Sequence, residues 1–168
     1  MHYYCLVILP LGEEPSEEAV SEMMEPFFEG REVEPYEAEC YNCGGTGQQD
    51  GDKDEPCQEC AGSGVVMSTC NPDGWWDWYV IGGRWDGVLT GRESGVDSYS
   101  NALENNACRV ADIILCPDKY PYTIVTPDDG VHMNEDANYK AKPDWADAAR
   151  RVLWKHAEHY AVVVDYHC

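Results

Sequence analysis

Residues 160–166, with the sequence YAVVVDY, indicate most directly how this 168-residue chain folds. The run Ala161 to Val164 is wholly apolar and is flanked by aromatic residues, which is typical of a buried strand. A similar run near the other end, Tyr3 to Leu9, is β-branched and aromatic and is closed by Pro10 and Gly12. We therefore expect one buried strand near each end of the chain.

Two amphipathic helices are predicted between these strands. The first begins near Pro15 and repeats apolar pairs at four-residue spacing as far as Glu29. Pro26 should end or kink this helix, because proline removes a backbone hydrogen bond to the preceding turn. The second helix begins after Asp144, a favourable N-cap residue, and runs to about His159.

Two β-hairpins are predicted in the middle of the chain. Residues 76–81 show the alternating pattern of a β-strand. Gly82-Gly83 separates them from residues 84–89, which favours a hairpin turn with positive φ. Residues 122–133 carry turn-forming residues at their centre and indicate a second hairpin. Two terminal strands, two hairpins and two helices covering one face predict an α+β fold with a largely antiparallel sheet.

The chain is strongly acidic, with 32 Asp and Glu against 11 Lys and Arg and a formal charge of −21. This charge argues against direct binding to nucleic acid or to an anionic membrane. Sixteen of the acids lie in residues 1–60, where Arg31 and Lys53 are the only basic residues. We expect a soluble protein of the reducing cytoplasm, since no apolar stretch is long enough for a membrane span and the apolar start lacks a basic leader.

Four of the nine cysteines form two copies of the pattern CxxCxGxG, at residues 40–47 (CYNCGGTG) and 57–64 (CQECAGSG). Two residues between cysteines let both thiolates reach one ion, and the glycines permit a turn whose amides point toward the sulfurs. Four thiolates suit the tetrahedral preference of zinc, while a redox role of the CxxC pairs is the alternative. The sequence predicts one structural Zn²⁺ ion, with the ligands Cys40, Cys43, Cys57 and Cys60.

These motifs resemble the cysteine-rich zinc domain of DnaJ-type co-chaperones, in which such knuckles pair to hold zinc. The resemblance covers residues 40–64 and implies that the same four cysteines form one zinc centre. The chain has two repeats where that domain has four, and it has no J-domain with a His-Pro-Asp motif. Because few large apolar residues surround the knuckles, we expect residues 37–70 to be a zinc-binding insert in a core formed by residues 1–36 and 71–168.

A second resemblance involves the string IGGRW at residues 81–85, which follows an aromatic segment, and the Val/Asp/His string at residues 163–167. Both are similar to strings in small uncharacterised proteins of bacteriophages and prophages, over residues 75–168. The resemblance implies a phage-type protein in the host cell cytoplasm, and it implies no activity.

The leading hypothesis is a noncatalytic interaction protein that inhibits a basic partner. A spaced array of carboxylates can take the place of phosphates on a nucleic-acid-binding surface. Such a surface would belong to a host or defence protein such as a CRISPR-type effector. The alternative is that the acidity only confers solubility. The candidate partner-binding residues are Glu13, Glu14, Glu17, Glu18, Glu22, Glu25, Asp50, Asp52, Asp54 and Glu55.

Two other functions stay open. A phosphodiester- or nucleotide-hydrolysing enzyme is one, because five polar residues stand at the ends of predicted strands, where a sheet could gather them into an acid–base site. They are Arg84, Asp86, His132, Asp165 and His167. A DnaJ-like module that binds unfolded chains is the other. The other five cysteines lack the paired spacing and are expected to be free buried or incidental thiols: Cys5, Cys70, Cys108, Cys116 and Cys168.

Overall fold

The computed structural model describes residues 1–49, 52–92, 103–135 and 141–168. The chain forms two compact units, a larger one of Met1–Phe28 with Trp75–Cys168 and a smaller one of Glu29–Gly74. The smaller unit extends beyond the insert expected at residues 37–70, because the strands on either side of the knuckles pair with each other. No helix in the described ranges is long and apolar enough to cross a membrane.

The described residues form three α-helices and ten strands. The helices are α1 (Glu17–Met24), α2 (Leu103–Asn106) and α3 (Trp145–Lys155). The strands are β1 (His2–Ile8), β2 (Glu32–Glu39), β3 (Gln48–Gln49), β4 (Asp52–Pro56), β5 (Val65–Cys70), β6 (Trp78–Ile81), β7 (Ala107–Arg109), β8 (Thr123–Thr126), β9 (Gly130–Met133) and β10 (Tyr160–His167).

The larger unit is built on one sheet of strand order β6-β10-β1-β8-β9, with β7 also pairing with β10. Every pair in this sheet is antiparallel except β1 with β8, which is parallel. β10 is therefore the strand with most partners, and Val164 lies between Cys5 of β1 and Ile81 of β6. The predicted α+β fold with a largely antiparallel sheet is confirmed.

The sheet is covered on both faces, so the expectation that both helices cover one face is wrong. Leu6 of β1 belongs to the apolar cluster that contains Leu153 of α3. Its neighbour Val7 belongs to the cluster that contains Met24 of α1. Successive side chains of a strand point to opposite faces, and in β1 both sets are apolar and buried. Each face therefore needs its own helix.

Both predicted long helices are present, with ends that differ in detail. The Ser16 hydroxyl caps α1 by accepting a hydrogen bond from the Ala19 amide at 3.0 Å. At Pro26 the chain tightens into a 3₁₀ turn, which confirms the predicted break in the helix. Asp144 precedes α3 as its N-cap but makes no side-chain capping bond. That helix ends at Lys155, four residues before the predicted end.

The hairpin predicted at residues 122–133 is confirmed, since β8 and β9 are antiparallel. The hairpin predicted around Gly82-Gly83 is wrong, because a 3₁₀ turn over Gly83–Trp85 follows β6 instead of a second strand. The backbone amide of Arg84 donates to the Asp165 carboxylate at 3.0 Å and draws the chain inward. Gly83 has a φ of 56°, and a Cβ there would lie 2.4 Å from the Cβ of Asp165. The glycine is thus needed for close approach to β10 and not for a hairpin.

Candidate metal centre

The four predicted ligands meet at one point of the smaller unit. Their Sγ atoms all lie within 4.8 Å of one another. The Sγ atoms of Cys40 and Cys57 are 3.8 Å apart, and so are those of Cys43 and Cys60. Four sulfurs in a tetrahedron around zinc, each at about 2.3 Å, would be separated by about 3.8 Å. The cluster can therefore hold a metal ion such as zinc.

The two repeats hold each other through reciprocal backbone contacts. The amide of Cys57 donates to the Gly47 carbonyl oxygen at 2.8 Å, and the amide of Cys40 donates to the Gly64 carbonyl oxygen at 2.9 Å. Gly47 and Gly64 have φ values of 74° and 80°. A Cβ on Gly47 would lie 2.4 Å from the Gly62 carbonyl oxygen. The last glycine of the repeat therefore also avoids a steric clash with the backbone of the other repeat.

Hydrogen bonds to sulfur surround the cluster. The amides of Gly47 and Gly64 donate to the Sγ atoms of Cys43 and Cys60 at 3.3 and 3.2 Å. The side-chain amide of Asn42 donates to the Sγ of Cys57 at 3.4 Å and, with the backbone amides of Cys60 and Glu59, lowers the pKa of that thiol to about 6. Such bonds favour the thiolate, which is the form that binds a metal.

The other five cysteines do not belong to this cluster. All nine cysteines lie in the described ranges, and none forms a disulfide. Cys5 is buried, while Cys70 and Cys168 are exposed and the remaining two, Cys108 and Cys116, are partly buried. None of these five is joined to another cysteine in the structure.

The module also contains a two-stranded ribbon, β2 with β5, that our sequence reasoning missed. Glu37 pairs with Met67 and Glu39 pairs with Val65, and all four side chains are exposed. The signal in the sequence was the alternation of glutamate with half-buried apolar residues along β2. The high charge of β2 obscured this alternation.

The predicted partner-binding acids occupy both units. Six of them stand on α1 or next to one of its ends in the larger unit, and all six are exposed: Glu13, Glu14, Glu17, Glu18, Glu22 and Glu25. Glu55 is exposed at the end of β4. Asp52 and Asp54 lie on β4, where the structure describes only their backbone, and Asp50 lies outside the described residues.

The five residues considered for catalysis are not gathered into one site. His132 lies on β9, whereas Asp165 and His167 lie on β10, and β1 and β8 stand between these strands. The Asp86 carboxylate accepts a hydrogen bond from Asn106 at 2.6 Å. Arg84 is exposed, and its backbone amide binds Asp165.

Two of the five instead form pairs with residues that sequence reasoning missed. The Nδ1 atom of His2 lies 2.8 Å from the Oδ1 atom of Asp165. The Nδ1 atom of His167 lies 2.9 and 3.0 Å from the carboxylate oxygens of Asp77. No local pattern signals these pairs, because their members are separated by 163 and 90 residues.

No protein-family model, curated protein or solved structure matches the chain. The resemblances to the DnaJ-type zinc domain and to phage proteins therefore rest on their motifs alone. Function has to be inferred from the geometry of the sites.

Proposed function

We propose that the smaller unit is a structural zinc module and that the protein acts by binding a basic partner. The observation that carries the proposal is the set of four cysteine Sγ atoms within 4.8 Å of one another. Cysteine fills all four ligand positions, as in structural zinc sites, whereas catalytic sites keep one position for water. The paired CxxCxGxG repeats support the likeness to the DnaJ-type zinc domain over residues 40–64.

The charge of the module supports a basic partner. Residues 29–74 contain eleven acidic residues against Arg31 and Lys53. Four thiolates with one Zn²⁺ would add about two further negative charges. Such a field attracts a positively charged surface and speeds association with it.

The exposed face of the ribbon supplies contacts of the right kind. Glu37 and Glu39 present carboxylates, and Val65 and Met67 present apolar surface beside them. Met67 is 65% exposed. A partner surface that combines basic and apolar groups would bury this face. The nucleic-acid-binding surface of a host or defence protein is of this kind, and a CRISPR-type effector is one such target. The six glutamates on α1 and next to its ends are a second acidic surface, in the larger unit.

The test begins with capture of partners from host cells at low salt and continues with the purified pair. We expect the affinity to fall steeply as salt rises, and DNA or RNA to compete for the partner. Salt-independent binding, or binding that nucleic acid does not disturb, would contradict charge mimicry.

Matched variants locate the surface. The double variants Glu37→Gln/Glu39→Gln and Glu18→Gln/Glu22→Gln remove two charges each from the ribbon and from α1. The control Asp112→Asn/Asp118→Asn removes two exposed charges elsewhere in the larger unit. At least one of the two acidic-surface variants should bind the partner tenfold or more weakly than this control does. Equal effects of all three would show that the acidity serves solubility.

A further inference from the structure

Three aromatic side chains from β6, β10 and β1 pack together at one end of the large sheet. Trp78 pairs with His167 in the register, and His167 pairs with His2. The rings of the two histidines are 5.5 Å apart, and the Trp78 ring stacks on His167 with an interplanar angle of 9°. The Trp78 ring also meets the His2 ring edge-on, with centroids 5.0 Å apart, so the three rings form one cluster on one face of the sheet.

Each imidazole is oriented by a carboxylate. His2 is held by Asp165, whose side chain is 3% exposed and also accepts the amide of Arg84. His167 is held by both oxygens of Asp77. A carboxylate at Nδ1 keeps the proton on that nitrogen, so Nε2 of a neutral imidazole retains its lone pair. This is the arrangement of metal-binding histidines, in which an outer carboxylate orients the ring.

We propose that His2 and His167 bind one divalent transition-metal ion of the zinc type through their Nε2 atoms. Two imidazoles on one tetrahedral ion, with Zn–N bonds of about 2.0–2.1 Å, would have ring centres about 5.2 Å apart. The observed separation is 5.5 Å. Cross-strand neighbours have Cβ atoms about 5 Å apart, which is close enough for two imidazoles to share one ion. This site lies in the larger unit and does not depend on the cysteine cluster.

Charge and exposure favour a cation over a phosphate group at this place. The charged groups paired with the two rings are Asp77 and Asp165, both acidic. A phosphodiester would require protonated imidazoles and would meet the field of a chain with a formal charge of −21. The His2 and His167 side chains are 20% and 33% exposed, so an ion can reach them from solvent and keep water in its other positions.

The test is a calorimetric titration of Zn²⁺ into the full chain that already carries one zinc per molecule. We expect a second binding event of one ion per chain, with a dissociation constant below about 1 mM. The variant His167→Gln should weaken this event at least tenfold, and Asp77→Asn should weaken it about tenfold by releasing the ring. His132→Gln, a histidine on β9 of the same sheet, is the matched control and should leave it unchanged.

Nuclear magnetic resonance of the unmodified protein provides a readout that does not depend on how well a variant folds. The second equivalent of Zn²⁺ should shift the imidazole signals of His2 and His167, and Mg²⁺ should not, because it prefers oxygen ligands. Absence of a second event, a second event that survives His167→Gln, or shifts confined to other histidines would each overturn the proposal.

Discussion

The backbone amide of Cys57 donates to the carbonyl oxygen of Gly47 at 2.8 Å. The first residue of the second CxxCxGxG repeat is thus bonded to the last residue of the first repeat. The reciprocal bond from Cys40 to Gly64 closes the pair. The buried residues of the smaller unit's apolar cluster are cysteines alone, with Val66 packed against them at its edge. A metal ion held by those sulfurs is therefore expected to stabilise the unit.

Removal of metal should unfold the smaller unit and leave the larger one folded. The larger unit has its own two apolar clusters, whereas the smaller has little beyond the cysteines. We expect elemental analysis to find one zinc per chain and a chelator to collapse the amide resonances of residues 29–74. All six tryptophans lie in the larger unit, so tryptophan fluorescence should keep its unfolding transition. Loss of that transition together with the metal would contradict the prediction.

Gly47→Ala should weaken zinc binding at least tenfold more than Gly44→Ala. Both glycines have positive φ, so alanine costs about 1–2 kcal/mol of backbone strain at either position. A Cβ at position 47 would also lie 2.4 Å from the Gly62 carbonyl oxygen, whereas one at position 44 meets nothing within 4 Å. Competition with a chelator measures both affinities. Equal losses would show that the contact between the repeats does not matter.

Asn42→Ala should release zinc at a higher pH than the unmodified chain. The Asn42 amide donates to the sulfur of Cys57 and is the largest of several hydrogen bonds that lower the pKa of this thiol to about 6. Without this bond the thiol pKa rises, and protons then compete with the metal at higher pH. An acid titration followed by a zinc indicator measures the midpoint, and the affinity at neutral pH should fall about tenfold. Gln58→Ala, at an exposed position of the second repeat, is the control and should leave the midpoint unchanged.

The stability of the larger unit should fall as the pH drops below 6.5, through His156. Burial lowers the pKa of this imidazole from its ordinary value of 6.5, against the opposing pull of Asp128. Asp129 also raises that pKa, while His159 and Lys155 lower it. A depressed pKa means that the unfolded chain binds more protons than the folded one. The contribution of His156 to the free energy of unfolding is therefore complete above pH 6.5 and falls below it, by at most about 1.4 kcal/mol per pH unit.

Urea unfolding followed by tryptophan fluorescence at pH 7 and at pH 5.5 tests this prediction. His156→Gln cannot take up a proton, so its stability should depend less on pH across this interval. An unchanged pH dependence in the variant would assign the effect to other groups.

Gly83→Ala should destabilise the larger unit by about 2–4 kcal/mol, from positive-φ strain and overpacking together. A Cβ there would lie 2.4 Å from the Cβ of Asp165. Gly91→Ala is the matched control, because Gly91 also has positive φ but a Cβ there would have nothing within 4 Å. Urea unfolding measures both, and equal losses would contradict the packing argument.

Local patterns were sufficient to predict the elements that depend on near neighbours in the chain. The two terminal strands, α1 with its break at Pro26, α3 and the β8–β9 hairpin all follow from hydrophobic spacing and from proline and turn residues. The four clustered cysteines follow from the repeat, because two-residue spacing brings both sulfurs of a knuckle to one point.

Relationships between distant segments were decided by packing and could not be predicted from these patterns. The hydrophobic run of β1 does not reveal which helix covers which face, because both sets of its side chains are apolar. The Gly82-Gly83 pair has the sequence of a hairpin turn, but Asp165 draws the following residues into a 3₁₀ turn. The carboxylates beside His2 and His167 come from 163 and 90 residues away along the chain. A sequence pattern records the preferences of neighbouring residues, whereas the partners of a buried polar group depend on how the strands are ordered in the sheet.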